Sequence, residues 1–187
     1  SEYRQVNLNS NHILDFSSTV EKKKPMKSHF FLRSNKKLDF LNFEESEVDI
    51  QLEQVTNDTY LKSYKLKSPI IQDYDNLSSS IKIHANKENL FLNLDFSVFE
   101  DLVKKDSDRF EYILPNYNLL KNFKPDEKLN GAFSFNSGGY IKNYDTNILE
   151  KVVINDLYFN SNYKITDAGL RNGYNLLIKN VNSDSNN

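Results

Sequence analysis

Cysteine is absent from the 187 residues, which excludes a disulfide framework, a thiol nucleophile and a thiolate-held metal. Long hydrophobic runs are absent as well. No stretch reaches the roughly 18 apolar residues that a membrane-crossing helix needs. A membrane barrel survives this test, because strands with two unlike faces average out as mildly polar. There is no basic excess either: 24 Lys and Arg stand against 26 Asp and Glu, for a net charge of −2 and a pI near 5.9. Without surplus cations to neutralise phosphates, nucleic acid has no electrostatic case as a partner. The basic clusters Lys22–Lys24, Lys36–Lys37 and Lys104–Lys105 lie beside turn-like residues and read as solvated loops. No segment reads as a helix and no exact repeat recurs. The chain begins at Ser1 with no basic-plus-apolar leader. The expectation is a processed chain or a piece of a longer protein.

Apolar residues make up 38% and mean hydropathy is −0.66, yet aromatics reach 13%, as 13 Phe and 11 Tyr. That aromatic content argues against disorder, and the length suits one domain. Asn89 to Phe99 shows the pattern most clearly. Leu90, Leu92, Leu94, Phe96 and Val98 share one parity, while Asn93, Asp95 and Ser97 share the other. This is the period of a strand with one apolar face. Phe91 and Phe99 interrupt the polar parity only near the two ends. The alternation suits a strand crossing a thin apolar slab, and equally a half-buried strand of a soluble sandwich.

Similar segments recur along the chain. Tyr3–Leu8, Ile13–Val20, His29–Arg33, Val48–Glu53 and Thr59–Lys67 read as strands, with Leu38–Phe43 apolar and irregular. Ser78–Ala85 forms a hairpin with the central stretch through Asn86–Asn89, and a long charged loop runs from Glu100 to Arg109. Phe110–Phe123, Leu129–Tyr144, Ile148–Tyr163 and Leu170–Val181 complete the series. Several of these exceed the usual strand length of about 5–6 residues. Long strands joined by alternating short and long connections are the habit of outer-membrane barrels. The expected fold is all-β: an antiparallel meander of long strands, part of a large outer-membrane β-barrel, with residues 1–187 a single segment of that domain.

Groups that carry chemistry are few. His12, His29 and His84 are far apart, and each reads as a strand residue rather than a zinc ligand. Asp106-Ser107-Asp108 lacks the glycine and terminal Glu of a calcium loop and reads as solvated. Gly138-Gly139 lies inside a strand pattern, where it marks a bulge or bend rather than a phosphate cradle. No serine sits in a nucleophile elbow, and no carboxylate pair is singled out by spacing. The expectation is a protein that is not an enzyme, with no catalytic, cofactor-binding or metal site.

Three stretches carry a resemblance: Glu2-Tyr3-Arg4; Glu53 to Leu61, EQVTNDTYL; and Asp106 to Tyr117, DSDRFEYILPNY. They resemble the early barrel portion of the lipopolysaccharide-assembly family LptD, also called OstA or Imp. Asp58, Tyr60, Tyr112, Leu114 and Pro115 match the family's motif positions. The resemblance implies a Gram-negative cell outer membrane, and a barrel that takes lipopolysaccharide from periplasmic bridge proteins and releases it laterally into the outer leaflet. It further implies the plug lipoprotein LptE as a partner and no cofactor. The family's N-terminal jelly roll is not recognisable here, so the chain would be an internal fragment. On this reading Asn93, Asp95 and Ser97 face the lumen, and Leu90, Leu92, Leu94, Phe96 and Val98 face lipid. The competing expectation is a soluble β-sandwich binding module of carbohydrate-binding type, with the tyrosines lining a groove.

Overall fold

A computed structural model describes residues 1–39, 43–71 and 73–186. The chain begins with β1 (Glu2–Asn7), β2 (Ser10–Thr19), β3 (Lys27–Lys37) and β4 (Glu45–Val55). A short helix α1 (Tyr60–Tyr64) precedes β5 (Asn76–Lys87) and β6 (Leu90–Asp101). After a 3-10 turn at Asp106–Arg109 come β7 (Phe110–Asn122), β8 (Gly131–Tyr144) and β9 (Ile148–Ser161). The small hairpin β10 (Lys164–Ile165) and β11 (Arg171–Asn172) leads into β12 (Asn175–Asn186). Each long strand pairs antiparallel with its predecessor, and β12 pairs with β9, giving one ten-stranded meander. The protein is all-β, as the alternation implies. Among the described residues the sheet has two edges, β1 pairing with β2 alone and β12 with β9 alone.

Strand length is uniform: after β1, the strands of this sheet run from 10 to 14 residues, in the first half of the chain as well as the second. Their registers set every side chain on one of two faces. One face carries Leu14 and Phe16, Phe30 and Leu32, Ile50 and Leu52, Ile81 and Ile83. It continues through Leu92, Leu94 and Phe96 to Leu119, Phe135, Leu157 and Ile178. The other face carries Asn35, Asp49, Gln51, Lys82, His84, Asn93, Asp95, Asn116, Asn118, Asn136 and Asp156. Contrast weakens toward β12, where Ile154 and Val181 stand on the polar side.

The buried core lies on the polar face, at one end of the sheet. Phe31 packs there with Tyr60, Leu61, Ile70 and Ile71 from the connection between β4 and β5, and the cluster takes in Leu102 and Leu77, although the register sets Leu77 on the apolar side. Burying side chains of this size is worth about 1.5–3 kcal/mol each, enough to hold the connection down. The strand expected over Thr59–Lys67 is therefore a helical turn instead. Tyr60 and Tyr64 are four residues apart, a spacing that shares a face in strand and helix alike, so parity could not separate the two. Local chemistry decides: Asn57 Oδ1 accepts both the backbone N–H and the hydroxyl of Thr59, and left-handed Lys65 at φ 45° ends the turn.

Other boundaries move as well. Lys36–Lys37 end strand β3 rather than forming a loop, β6 runs on to Asp101, and the 3-10 turn interrupts the charged loop. The last strand begins at Asn175, not Leu170, and continues to Asn186 because ladder hydrogen bonds need only backbone. Of the irregular stretch at Leu38–Phe43, residues 40–42 lie outside those described.

The register break expected at Gly138-Gly139 falls elsewhere. Both glycines pair continuously with β7 and β9. The shift lies at Leu114-Pro115, two residues opposed by the single Phe96 on one side and the single Ile141 on the other. Proline offers no N–H to a ladder, and a bulge is where an interior strand accommodates it.

Candidate functional site on the polar face

The polar face carries a series of cross-strand pairs, interrupted by Phe91, Leu120 and Ile113. Asn35 Nδ2 donates to Asp49 Oδ1 at 2.7 Å, and Arg33 to Gln51 Oε1 at 3.0 Å. His84 Nδ1 lies 2.7 Å from Asn93 Oδ1, and Lys82 Nζ lies 3.6 Å from Asp95. Further along, Asn118 donates to Asn136, Tyr140 to Glu150, and Lys179 pairs with Asp156. Opposite charges and amides directly across a ladder each contribute about 0.2–1 kcal/mol. Asn93, Asp95 and Ser97 all belong to this face; Ser97 donates to Asp95 Oδ1 at 2.5 Å and is buried.

At the covered end, four polar side chains lie in a row, in which the buried His29 Nε2 makes no hydrogen bond. His29 Nε2 lies 3.3 Å from Asp15 Oδ1, His29 Nδ1 lies 3.0 Å from Ser17 Oγ, and Ser17 Oγ lies 2.9 Å from the Tyr60 hydroxyl. The His29 ring stacks on Phe31 with centroids 4.5 Å apart. The residue types invite comparison with a nucleophilic triad. Yet the Ser17 hydroxyl is held from both sides and Tyr60 closes over it. The set anchors the β4–β5 connection to the sheet.

The motif residues sort by their position. Asp58 accepts from Arg109 Nη2 at 2.7 Å, and Arg109 also reaches Glu100 at 2.6 Å. Two stretches about fifty residues apart in sequence, Glu53–Leu61 and Asp106–Tyr117, therefore meet at one guanidinium. Asp58 and Glu100 raise the Arg109 pKa further above its ordinary value. Tyr60 is buried as described. Tyr112 is exposed beside Phe110, and Leu114 and Pro115 form the bulge. In the same loop cluster Asp108 accepts the backbone N–H of Thr146 at 2.7 Å and its hydroxyl at 3.1 Å, in that order holding the carboxyl below the ordinary range. Asp106-Ser107-Asp108 is thus engaged with the β8–β9 turn.

Sequence spacing missed one grouping. Glu47, Asp49 and His84 bring one ligand-type atom each to within 4.8 Å of one another on the polar face. The residues are far apart in the chain, and only the β4–β5 register unites them. Among the described residues no helix is long and apolar enough to cross a membrane.

No family model, no curated protein and no solved structure matches this chain.

Proposed function

We propose that this chain is a section of an outer-membrane β-barrel that moves lipopolysaccharide to the outer leaflet by binding and guiding it, without catalysis. The observation that carries the reading is two-sidedness carried along the ten-stranded sheet, strongest in the middle strands and weakening toward β12. Strands of 10–14 residues, set at a tilt, match an apolar slab about 25 Å tall. Phe16, Phe30, Leu52, Ile81, Phe96 and Ile141 stand exposed on the apolar face, where lipid would cover them. The polar face offers amides, carboxylates and cations to sugars and phosphates. Edges at β1 and β12 would be closed by further strands of the same barrel, since an unpaired ladder is not tolerated in lipid. The motif resemblance to LptD supports lipopolysaccharide as cargo, with LptE as a lumen plug and bridge proteins as the source.

One observation favours a soluble sandwich. In the middle of the apolar face Tyr117 lies 3.3 Å from Ser137 Oγ, and Ser137 donates to Asn155 at 2.7 Å. Polar groups there suit a protein cover better than lipid. The described segment that does cover the sheet, α1 with its flanking loops, lies on the opposite face.

Circular dichroism and sedimentation of the chain, first in buffer and then in detergent micelles, separate the two. A cooperative β-monomer in buffer alone rejects the membrane reading. Photo-crosslinking in cells then tests the cargo, with benzoylphenylalanine at Asn93 or Asp95 against Leu92 or Leu94. Lipopolysaccharide adducts concentrated at the polar-face positions are expected, and their absence there rejects the cargo.

A further inference from the structure

Glu47 of β4 stands opposite His84 of β5 in the ladder, and Asp49 follows two residues along on the same face. The three side chains are half-buried. The Glu47 carboxylate makes no hydrogen bond or ion pair among the described residues. The Asn93 side-chain carbonyl, 2.7 Å from His84 Nδ1, can only accept. A neutral imidazole in this contact carries its proton on Nδ1 and its lone pair on Nε2. Asn35 holds Asp49 in the same way, from the strand on the other side. The neighbouring cation Lys82 is engaged with Asp95. Two carboxylates and an imidazole nitrogen thus lie together, with His84 and Asp49 each held by an asparagine side chain from an outer strand. Such outer-shell amides and carbonyls fix the tautomer and aim of metal ligands. An open-sided cavity of about 610 Å³ lies alongside, lined by Glu47, His84, Asn86 and Asn93 among others.

We propose that Glu47, Asp49 and His84 form a binding site for a divalent first-row transition-metal ion, with zinc as the reference case and a coordination position open to the cavity. One nitrogen and two carboxylate ligands suit zinc and its neighbours, whereas calcium and magnesium take oxygen throughout. The two carboxylates neutralise the ion's charge. Ligand bonds of about 2.0–2.2 Å need the three atoms closer than 4.8 Å, a closure that side-chain rotation supplies. The site stands independently of the transport reading, since it needs only the β3–β6 registers.

The test is zinc titration of the full folded chain against a chromophoric indicator, with Co²⁺ absorption as a spectroscopic readout and circular dichroism to verify each variant's fold. One ion per chain is expected. H84A should abolish binding, E47Q and D49N should weaken it at least about tenfold, and Asn93→Ala should weaken it about 10–100-fold. His12, on the other face and bonded to Ser34, is the control, and H12A should bind as the native chain does. A native chain that binds no zinc overturns the proposal. So does an H84A variant that binds normally, or an H12A variant that loses binding equally. If H84A fails to fold, D49N and the native Co²⁺ spectrum decide: unchanged affinity in D49N, or a spectrum without nitrogen ligation, overturns the proposal.

Discussion

Tyr117 lies across Gly139 from one strand to the next. The two residues are paired in the β7–β8 ladder, and the tyrosine ring carbon Cε1 would be 3.1 Å from a Cβ placed on the glycine. On the other side the Val152 carbonyl oxygen comes closer still. Glycine is required here by close approach, since its φ is not among the positive ones.

Gly139→Ala should therefore destabilise the sheet by about 1–3 kcal/mol, the range for overpacking against atoms that cannot rotate away. Gly138→Ala, whose added carbon meets nothing nearer than 3.4 Å, should cost distinctly less. Denaturant midpoints of the two variants check the difference, and equal costs would mean that Tyr117 and Val152 do not constrain the site.

Charge on the two faces of β6 should be tolerated unequally. Leu94→Arg places a guanidinium near the middle of the apolar face and, in lipid, should cost about 2–4 kcal/mol. Asn93→Arg, one residue away on the polar face, should be mild. Heat-modifiable mobility of the membrane-inserted protein is the readout, and matched losses would count against lipid on the apolar face.

The core under the β4–β5 connection gives a local prediction. Phe31→Ala should cost about 3–5 kcal/mol and Leu61→Ala about 2–5 kcal/mol, both being fully buried. Loss should show first as protease sensitivity between Thr56 and Asp75, with the ladders of β7 to β9 still protected from hydrogen exchange. Simultaneous loss of both regions would show that the connection and the sheet unfold as one unit.

The Asp108–Thr146 clamp should depend on pH with a defined sign. The carboxyl is held below its ordinary value in the folded chain, first by the Thr146 N–H and then by its hydroxyl. Its contribution is therefore present above the ordinary aspartate range, near pH 4, and is lost as pH falls through the depressed value. The Thr146 amide proton shift should titrate below pH 4 in the native protein and show no such step in D108N. A native transition at or above the ordinary value would refute the clamp.

Arg109→Ala should loosen two connections at once, because Asp58 and Glu100 share its guanidinium. Asp58 is half exposed, so the loss should be only roughly 1 kcal/mol. Faster cleavage in both the Thr56–Asp75 and Leu102–Asp108 segments is expected, and an effect confined to one would remove Arg109 as their common tie.

Much of this was legible in residues alone. The parity of Leu90 to Val98 against Asn93, Asp95 and Ser97 reports the two faces directly, because a strand's side chains alternate whatever it packs against. Tyr60 was legible as a motif position but not as part of a helix, since two residues four apart align in either structure. The bulge at Leu114-Pro115 was signalled by a proline inside a strand pattern, while Gly138-Gly139 drew attention to the wrong pair.

The all-β class, the meander of long strands and the alternation of the two faces could be read from residues alone, because they follow from alternation and turn chemistry over a few neighbouring residues. The fold alone brings the β4–β5 connection over one end of the sheet, lets Asp58 and Glu100 share Arg109, and brings Glu47, Asp49 and His84 together. Those depend on register between strands. Register is fixed by many weak cross-strand pairs acting together, and no local stretch of sequence contains it.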